Sequence, residues 1–174
     1  SAFHMSLLSQ MTPVLCAASM RRADQITIEQ IGIPGFTLME SAGREAAEVA
    51  QEMIEVICGS ESDADLGWSG RDWTEKDTLA IPAPSAHIVC LCGKGNNGGD
   101  GLVMARYLSG YGHQVTVLLF AQKAEYSGDA ALNLGILEKV AEKQSISITT
   151  FSDISSLSAL PPSDLVIDAL VGTG

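Results

Sequence analysis

The chain has 174 residues, 46% of them hydrophobic and 18% charged, a composition that buries one core and is globular rather than disordered. Its formal net charge of −11, from 21 acidic against 10 basic residues, repels a phosphate backbone, so no nucleic-acid partner is expected. No apolar run nears the ~20 residues that cross a bilayer, and no membrane partner is expected.

The opening SAFHM has no basic region followed by an apolar stretch, so residues 1–16 read as a tag remnant and N-terminal extension. Met20 to Ile31 is expected to be helical, with Ser19 as N-cap and Gly32 and Pro34 as the stop. Thr37 and Glu40 read as the capping box of a second helix. Its apolar face is expected to be Met39, Ala42, Ala46, Val49, Met53 and Ile57, and Gly43 within it points to a close packing contact. From 59 to 85 the periodicity vanishes. That stretch, with Trp68 and Trp73, reads as a surface insertion, an aromatic ligand-binding loop being the sharper alternative.

The chain then alternates. Strands are expected at Ile88–Cys92, Val115–Phe120, Ile146–Phe151 and Leu165–Leu170. Helices are expected at Gly101–Leu108 and Asp129–Ala141, with a helical turn at Ile154–Leu160. Continuous apolar strands between amphipathic helices indicate a parallel sheet with helices on both faces. The fold class is α/β: a Rossmann-like three-layer sandwich with a mostly parallel sheet and an N-terminal helical lead-in. Cys90 and Cys92 alternate onto one buried face. With Cys16 and Cys58 they fit neither a zinc site nor a redox pair, and read as small hydrophobes of a reducing, cytoplasmic compartment.

The first strand runs into GKGNNGGDG, residues 93–101. Gly93, Gly95 and Gly98 satisfy the dinucleotide G-x-G-x-x-G between a strand and a helix. The acid that holds the ribose hydroxyls at the end of the second strand is absent, because that strand ends Phe120, Ala121, Gln122, Lys123 with Glu125 too far on. An ordinary NAD-dependent oxidoreductase is disfavoured. There is no G-K-[ST] and no G-x-S-x-G, and His87 and His113 lack metal-ligand spacing. With strand order 3-2-1-4, the loops after the first and fourth strands border one crevice, so Asn96, Asn97 and Asp100 would face Asp168 and Gly172-Thr173-Gly174. The glycines would let backbone donors approach a phosphate-bearing ligand at a helix N-terminus. Asn97 and Asp168 offer hard oxygens, which with a single negative charge suit a monovalent cation. The plainer reading makes Asp168 a turn cap and Asp100 the cap of the helix from Gly101.

GKGNNGGDGLVMARYL and DALVGTG, with the upstream MRRADQITIEQIGIPGFTLMESAGREAA, resemble the YjeF N-terminal domain family, the NAD(P)H-hydrate epimerases. The resemblance covers most of residues 17–174 apart from 59–85. It implies an isomerase that interconverts the R and S forms of NADHX and NADPHX, hydrated nicotinamide cofactors that a fused or separate dehydratase then repairs. It implies substrate contacts at Asn96, Asn97, Gly98, Gly99, Asp100, Gly172, Thr173 and Gly174, a potassium ion on Asn97 and Asp168, and a homodimer. No catalytic residue follows from it. The family continues past the point matching Gly174, so a second segment of the same protein is expected to complete the sheet and the cation shell. The rival is a non-catalytic nucleotide-binding or scaffold module, since related domains occur in messenger-RNA decapping proteins.

Overall fold

A computed structural model describes residues 16–59 and 85–172. Residues 1–15, the insertion with Trp68 and Trp73, and Thr173 and Gly174 lie outside the described residues. Helix α1 (Ala17–Ile26) runs into a π-helical turn, Thr27–Ile31, ended by Gly32 at φ 87°, the left-handed conformation glycine adopts without a Cβ penalty. The cap is Cys16, not Ser19. Ala17 and Ala18 are strong helix formers and draw the start forward, leaving the Ser19 hydroxyl 3.3 Å from Cys16 Sγ.

Helix α2 (Gly35–Gly59) also starts before its expected cap. The Thr37 N–H donates to the Pro34 carbonyl at 2.9 Å, so Thr37 lies in the first turn and the Thr37–Glu40 capping box does not form. Glu40 instead accepts from the Arg106 guanidinium and, at 2.8 Å, from the Tyr107 hydroxyl. The buried face is Met39, Gly43, Ala47, Ala50 and Ile54, rotated from the expected one, while Val49, Met53 and Ile57 are exposed. Small residues won because the neighbouring helix comes so close: a Cβ on Gly43 would sit 2.5 Å from Val103 Cβ. The packing contact expected at Gly43 is therefore present.

Four parallel strands follow: β1 (His87–Cys92), β2 (Gln114–Leu119), β3 (Ile146–Thr150) and β4 (Leu165–Ala169), in the order β3-β2-β1-β4. They alternate with α3 (Asn96–Gly110), α4 (Gly128–Ala141) and the short α5 (Ile154–Ser158). Ile88, Cys90 and Cys92 of β1 and Val115, Val117 and Leu119 of β2 form one core with residues of α2, α3 and α4. Right-handed crossovers require this: β1-α3-β2 and β2-α4-β3 step the same way across the sheet, whereas β3-α5-β4 steps back and carries α5 to the other face. Cys90 and Cys92 are free and fully buried; burial holds the Cys90 thiol well above its usual range and pushes Cys92 up to about 12.

Both core-flanking histidines are satisfied. His113 takes the Ala86 N–H on Nδ1 (3.2 Å) and meets Gln51 Oε1 with Nε2 (2.6 Å), which makes Nε2 the protonated nitrogen. His87 pairs with the Pro162 carbonyl at 2.6 Å and Thr116 Oγ1 at 2.9 Å.

The Glu40 bridge gives a first expected outcome. Burial works to raise this carboxyl's pKa, but the Arg106 and Tyr107 hydrogen bonds and the Arg106 charge outweigh it and hold the pKa below its usual value. A depressed acid stabilises the fold above its unfolded pKa and loses that contribution as the pH falls through the folded value. Glu40→Gln should therefore cost about 1 kcal/mol at pH 7. Urea titrations should show the difference fading as the pH falls below the usual carboxylate range.

Candidate functional site

The β1 strand delivers the chain to the crevice. Past Cys92, the Gly93 N–H donates to the Ala169 carbonyl of β4 at 2.9 Å, tying the two strand ends together. Helix α3 then begins at Asn96, with extended Gly95 as its N-cap and no side chain capping it. The first helical turn was expected at Gly101, so Asn96 to Asp100 are helical rather than looped, and Asp100 is not a cap. Gly99 is bonded back to the Gly95 carbonyl at 3.0 Å, which among the described residues leaves the amides of Asn96, Asn97 and Gly98 as the open donors of a 15-residue helix. The macrodipole adds partial positive charge at the same place.

The loops after β1 and β4 meet, as the strand order requires. Asn97 Nδ2 donates to the Val171 carbonyl at 3.2 Å, and Gly172 would bring a Cβ within 3.4 Å of Asn97 Cβ. Asp168, near the end of β4, is exposed and accepts the Leu170 N–H at 3.0 Å. It stands in register with Leu91, one residue out of phase with the Cys92–Ala169 pair that packs under α3, so it starts on the opposite face of the sheet. Those bonds use the Asn97 nitrogen and one Asp168 oxygen. Among the described residues, the Asn97 amide oxygen and the second Asp168 oxygen carry no protein hydrogen bond.

Asp100 lies one turn along α3 from Asn97, on the same side of the helix. It is half-buried, and burial, then the nearby charge of Asp24 on α1, raise its pKa to about 6. Asp24 is the participant that sequence reasoning missed. It is one more acid on a polar lead-in helix, and only the placement of α1 within reach of Asp100 reveals it.

Among the described residues, no acid is free at the end of β2. Glu125 accepts the Gln122 N–H at 2.9 Å and pairs with Lys94 of the glycine loop at 3.0 Å. Beside it, the rings of Phe120 and Phe151 stack with centroids 4.6 Å apart and planes 13° from parallel. Among the described residues, no group of three or more His, Cys, Asp and Glu side chains could hold a metal ion. Nor is any helix among them long and apolar enough to cross a membrane. An open groove of about 780 Å³ runs beside α5, lined by His87, Thr116, Thr149 and Ser155; none of Asn96 to Asp100 lines it.

The model of the YjeF-related protein N-terminus family matches residues 35–174. An NAD(P)H-hydrate epimerase of Rhodopirellula baltica is 35% identical over 165 residues, covering 95% of this chain and 54% of its own length. A bifunctional NAD(P)H-hydrate repair enzyme Nnr of Salinibacter ruber is 39% identical over 170 residues, covering 93% of this chain and 26% of its own length. The chain thus spans about half of the first relative and a quarter of the second. The crystal structure of yeast ynu0 superposes with a TM-score of 0.60 at 23% identity, over 92% of this chain and 57% of that one, a likeness of fold.

Proposed function

Because this chain belongs to the YjeF-related protein N-terminus family, we propose that it forms the crevice half of an NAD(P)H-hydrate epimerase acting on NADHX and NADPHX. The observation that carries the reading is the Asn97–Val171 hydrogen bond. It joins the first turn of α3 to the segment leaving β4 at the point where doubly wound sheets bind ligands, beside an uncapped helix N-terminus suited to a pyrophosphate.

The reaction inverts a ring carbon bearing both nitrogen and hydroxyl. The nitrogen lone pair expels the hydroxyl as its oxygen takes a proton, giving water and an iminium. Water then adds to the opposite ring face and returns the proton. Asp100 suits that exchange, because a carboxyl raised to about 6 gives and takes a proton near neutral pH.

The donor set fits a potassium ion: one carboxylate, one amide oxygen and nearby backbone carbonyls are hard oxygens carrying a single charge. Asn97 and Asp168 would hold it, and it would supply fixed positive charge beside an anionic ligand. Asn97, Gly98, Gly99 and Asp100, with Asn96 and the loop from Gly172, would line the substrate.

Asn97→Ala is expected to lower epimerase activity about tenfold, the effect of one lost charge-assisted contact, with little change in melting temperature. The check is conversion of (R)-NADHX to the S form, read by a dehydratase that consumes only S. Wild-type protein that leaves the R form untouched would overturn the reading.

A further segment of the same protein beside β4 belongs to this proposal. The strand is a sheet edge with Val166 54% exposed, and the relatives are longer. So do a cytoplasmic location and a homodimer, whose surface would be the exposed apolar stripe Val49, Met53, Val56 of α2. Light scattering of the purified protein tests the dimer.

A further inference from the structure

A dinucleotide whose pyrophosphate lies on the N-terminus of α3 must send one arm toward β4 and the other toward β2. The β4 arm meets Asp168 and Gly172. Among the described residues the β2 arm meets no free acid, since Glu125 is occupied by Lys94 and by the Gln122 amide. It meets the aromatic pair instead.

Phe120 donates its N–H to the Cys92 carbonyl at 2.8 Å, so it lies one strand spacing, ~4.8 Å, from the start of the glycine loop. Phe151 does the same from β3 to the Leu119 carbonyl at 2.7 Å. Strand alternation sends both rings to the face opposite the core helices, at the rim where the strands end, and both are only half-buried. Two parallel, partly exposed rings offer an outer π-face on which a third flat ring can continue the stack.

We infer that Phe120 and Phe151 form the platform on which the purine base of the dinucleotide stacks. The inference rests on the dinucleotide-binding reading above. It explains why the end of β2 can do without a ribose-binding acid: stacking binds the base and leaves the ribose edge unread. A 2′-hydroxyl and a 2′-phosphate are then accepted alike, as an enzyme for both NADHX and NADPHX requires.

Leucine in place of either ring keeps a hydrophobic cap on the sheet end but removes the π-face, whereas tyrosine retains it. Calorimetry on the full chain with ADP-ribose, 2′-phospho-ADP-ribose and ribose 5-phosphate separates the possibilities. Phe120→Leu should bind both ADP-riboses about tenfold more weakly, by a similar factor, and ribose 5-phosphate unchanged. Phe120→Tyr should bind all three as wild type does. Unchanged ADP-ribose binding by Phe120→Leu and Phe151→Leu overturns the platform while leaving the crevice reading intact. So does an equal loss for ribose 5-phosphate, because that loss reports a disturbed glycine loop. Wild-type protein that binds none of the three overturns both.

Discussion

Gly98→Ala is expected to cost about 3 kcal/mol or more, at the upper end of overpacking, and to abolish ligand binding. A Cβ at Gly98 would stand 1.6 Å from the Gly93 carbonyl oxygen, and one at Gly93 would stand 2.0 Å from the Leu170 carbonyl oxygen. Both obstacles are backbone, which has no rotamer to yield. The start of α3, the end of β1 and the segment leaving β4 are stacked main chain on main chain, so a methyl between them must part the two loops that form the crevice. Gly135 is the control. It lies inside α4 with nothing within 4 Å of its absent Cβ, so Gly135→Ala should stabilise by about 0.5–1 kcal/mol. Denaturant midpoints measure both. A Gly98→Ala protein as stable as Gly135→Ala would show that the three segments are not packed this way.

Asp100→Asn is expected to lower epimerase activity by a factor of about 100 or more, the usual contribution of a positioned proton carrier, while making the protein more stable at neutral pH. Burial first, and Asp24 second, raise this carboxyl from 3.8 to about 6. The folded protein therefore binds the proton more tightly than the unfolded chain does. The stability that gives is fully present below pH 3.8 and is lost as the pH rises through 6. Asparagine escapes that loss. Discounted for the carboxyl's partial solvent exposure, the gain at pH 7.5 is about 1 kcal/mol, and it vanishes near pH 3.5. Melts across that range, set beside the pH–rate profile, test both halves. Undiminished turnover would remove Asp100 from the chemistry, and a constant stability difference would remove the raised pKa.

Most of the frame could be read from the residues: strand positions follow from the hydrophobic period, and the 3-2-1-4 order supposed for a doubly wound sheet is the one observed, which brings NNGGDG beside the segment leaving β4. What resisted reading was local and had tertiary causes. NNGGDG looks like a loop because glycine is a poor helix former. It is helical because three backbones crowd a place where side chains do not fit. Glu40 looks like a capping partner, yet Arg106 and Tyr107, more than sixty residues away, claim its carboxylate. The face of α2 was misjudged because bulk suggests burial, whereas Gly43, Ala47 and Ala50 let α3 approach. Asp24 could not be singled out, because only the folded course of the chain brings its charge near Asp100.

The backward step of the chain from β3 to β4 bears on the order in which the molecule assembles. β1, α3, β2, α4 and β3 form two successive units whose partners are near in sequence, while β4 must return past two strands to pair with β1. Contacts between distant segments close late, because loop entropy is lost before they form. Asn97 is in place with the early units, but Val171 and Gly172 arrive only with β4. The crevice is thus the last part of the described fold to close and the first to open. Amide hydrogens of β4 should exchange faster than those of β1 and β2 in the free protein, and slow most when a dinucleotide bridges the two loops.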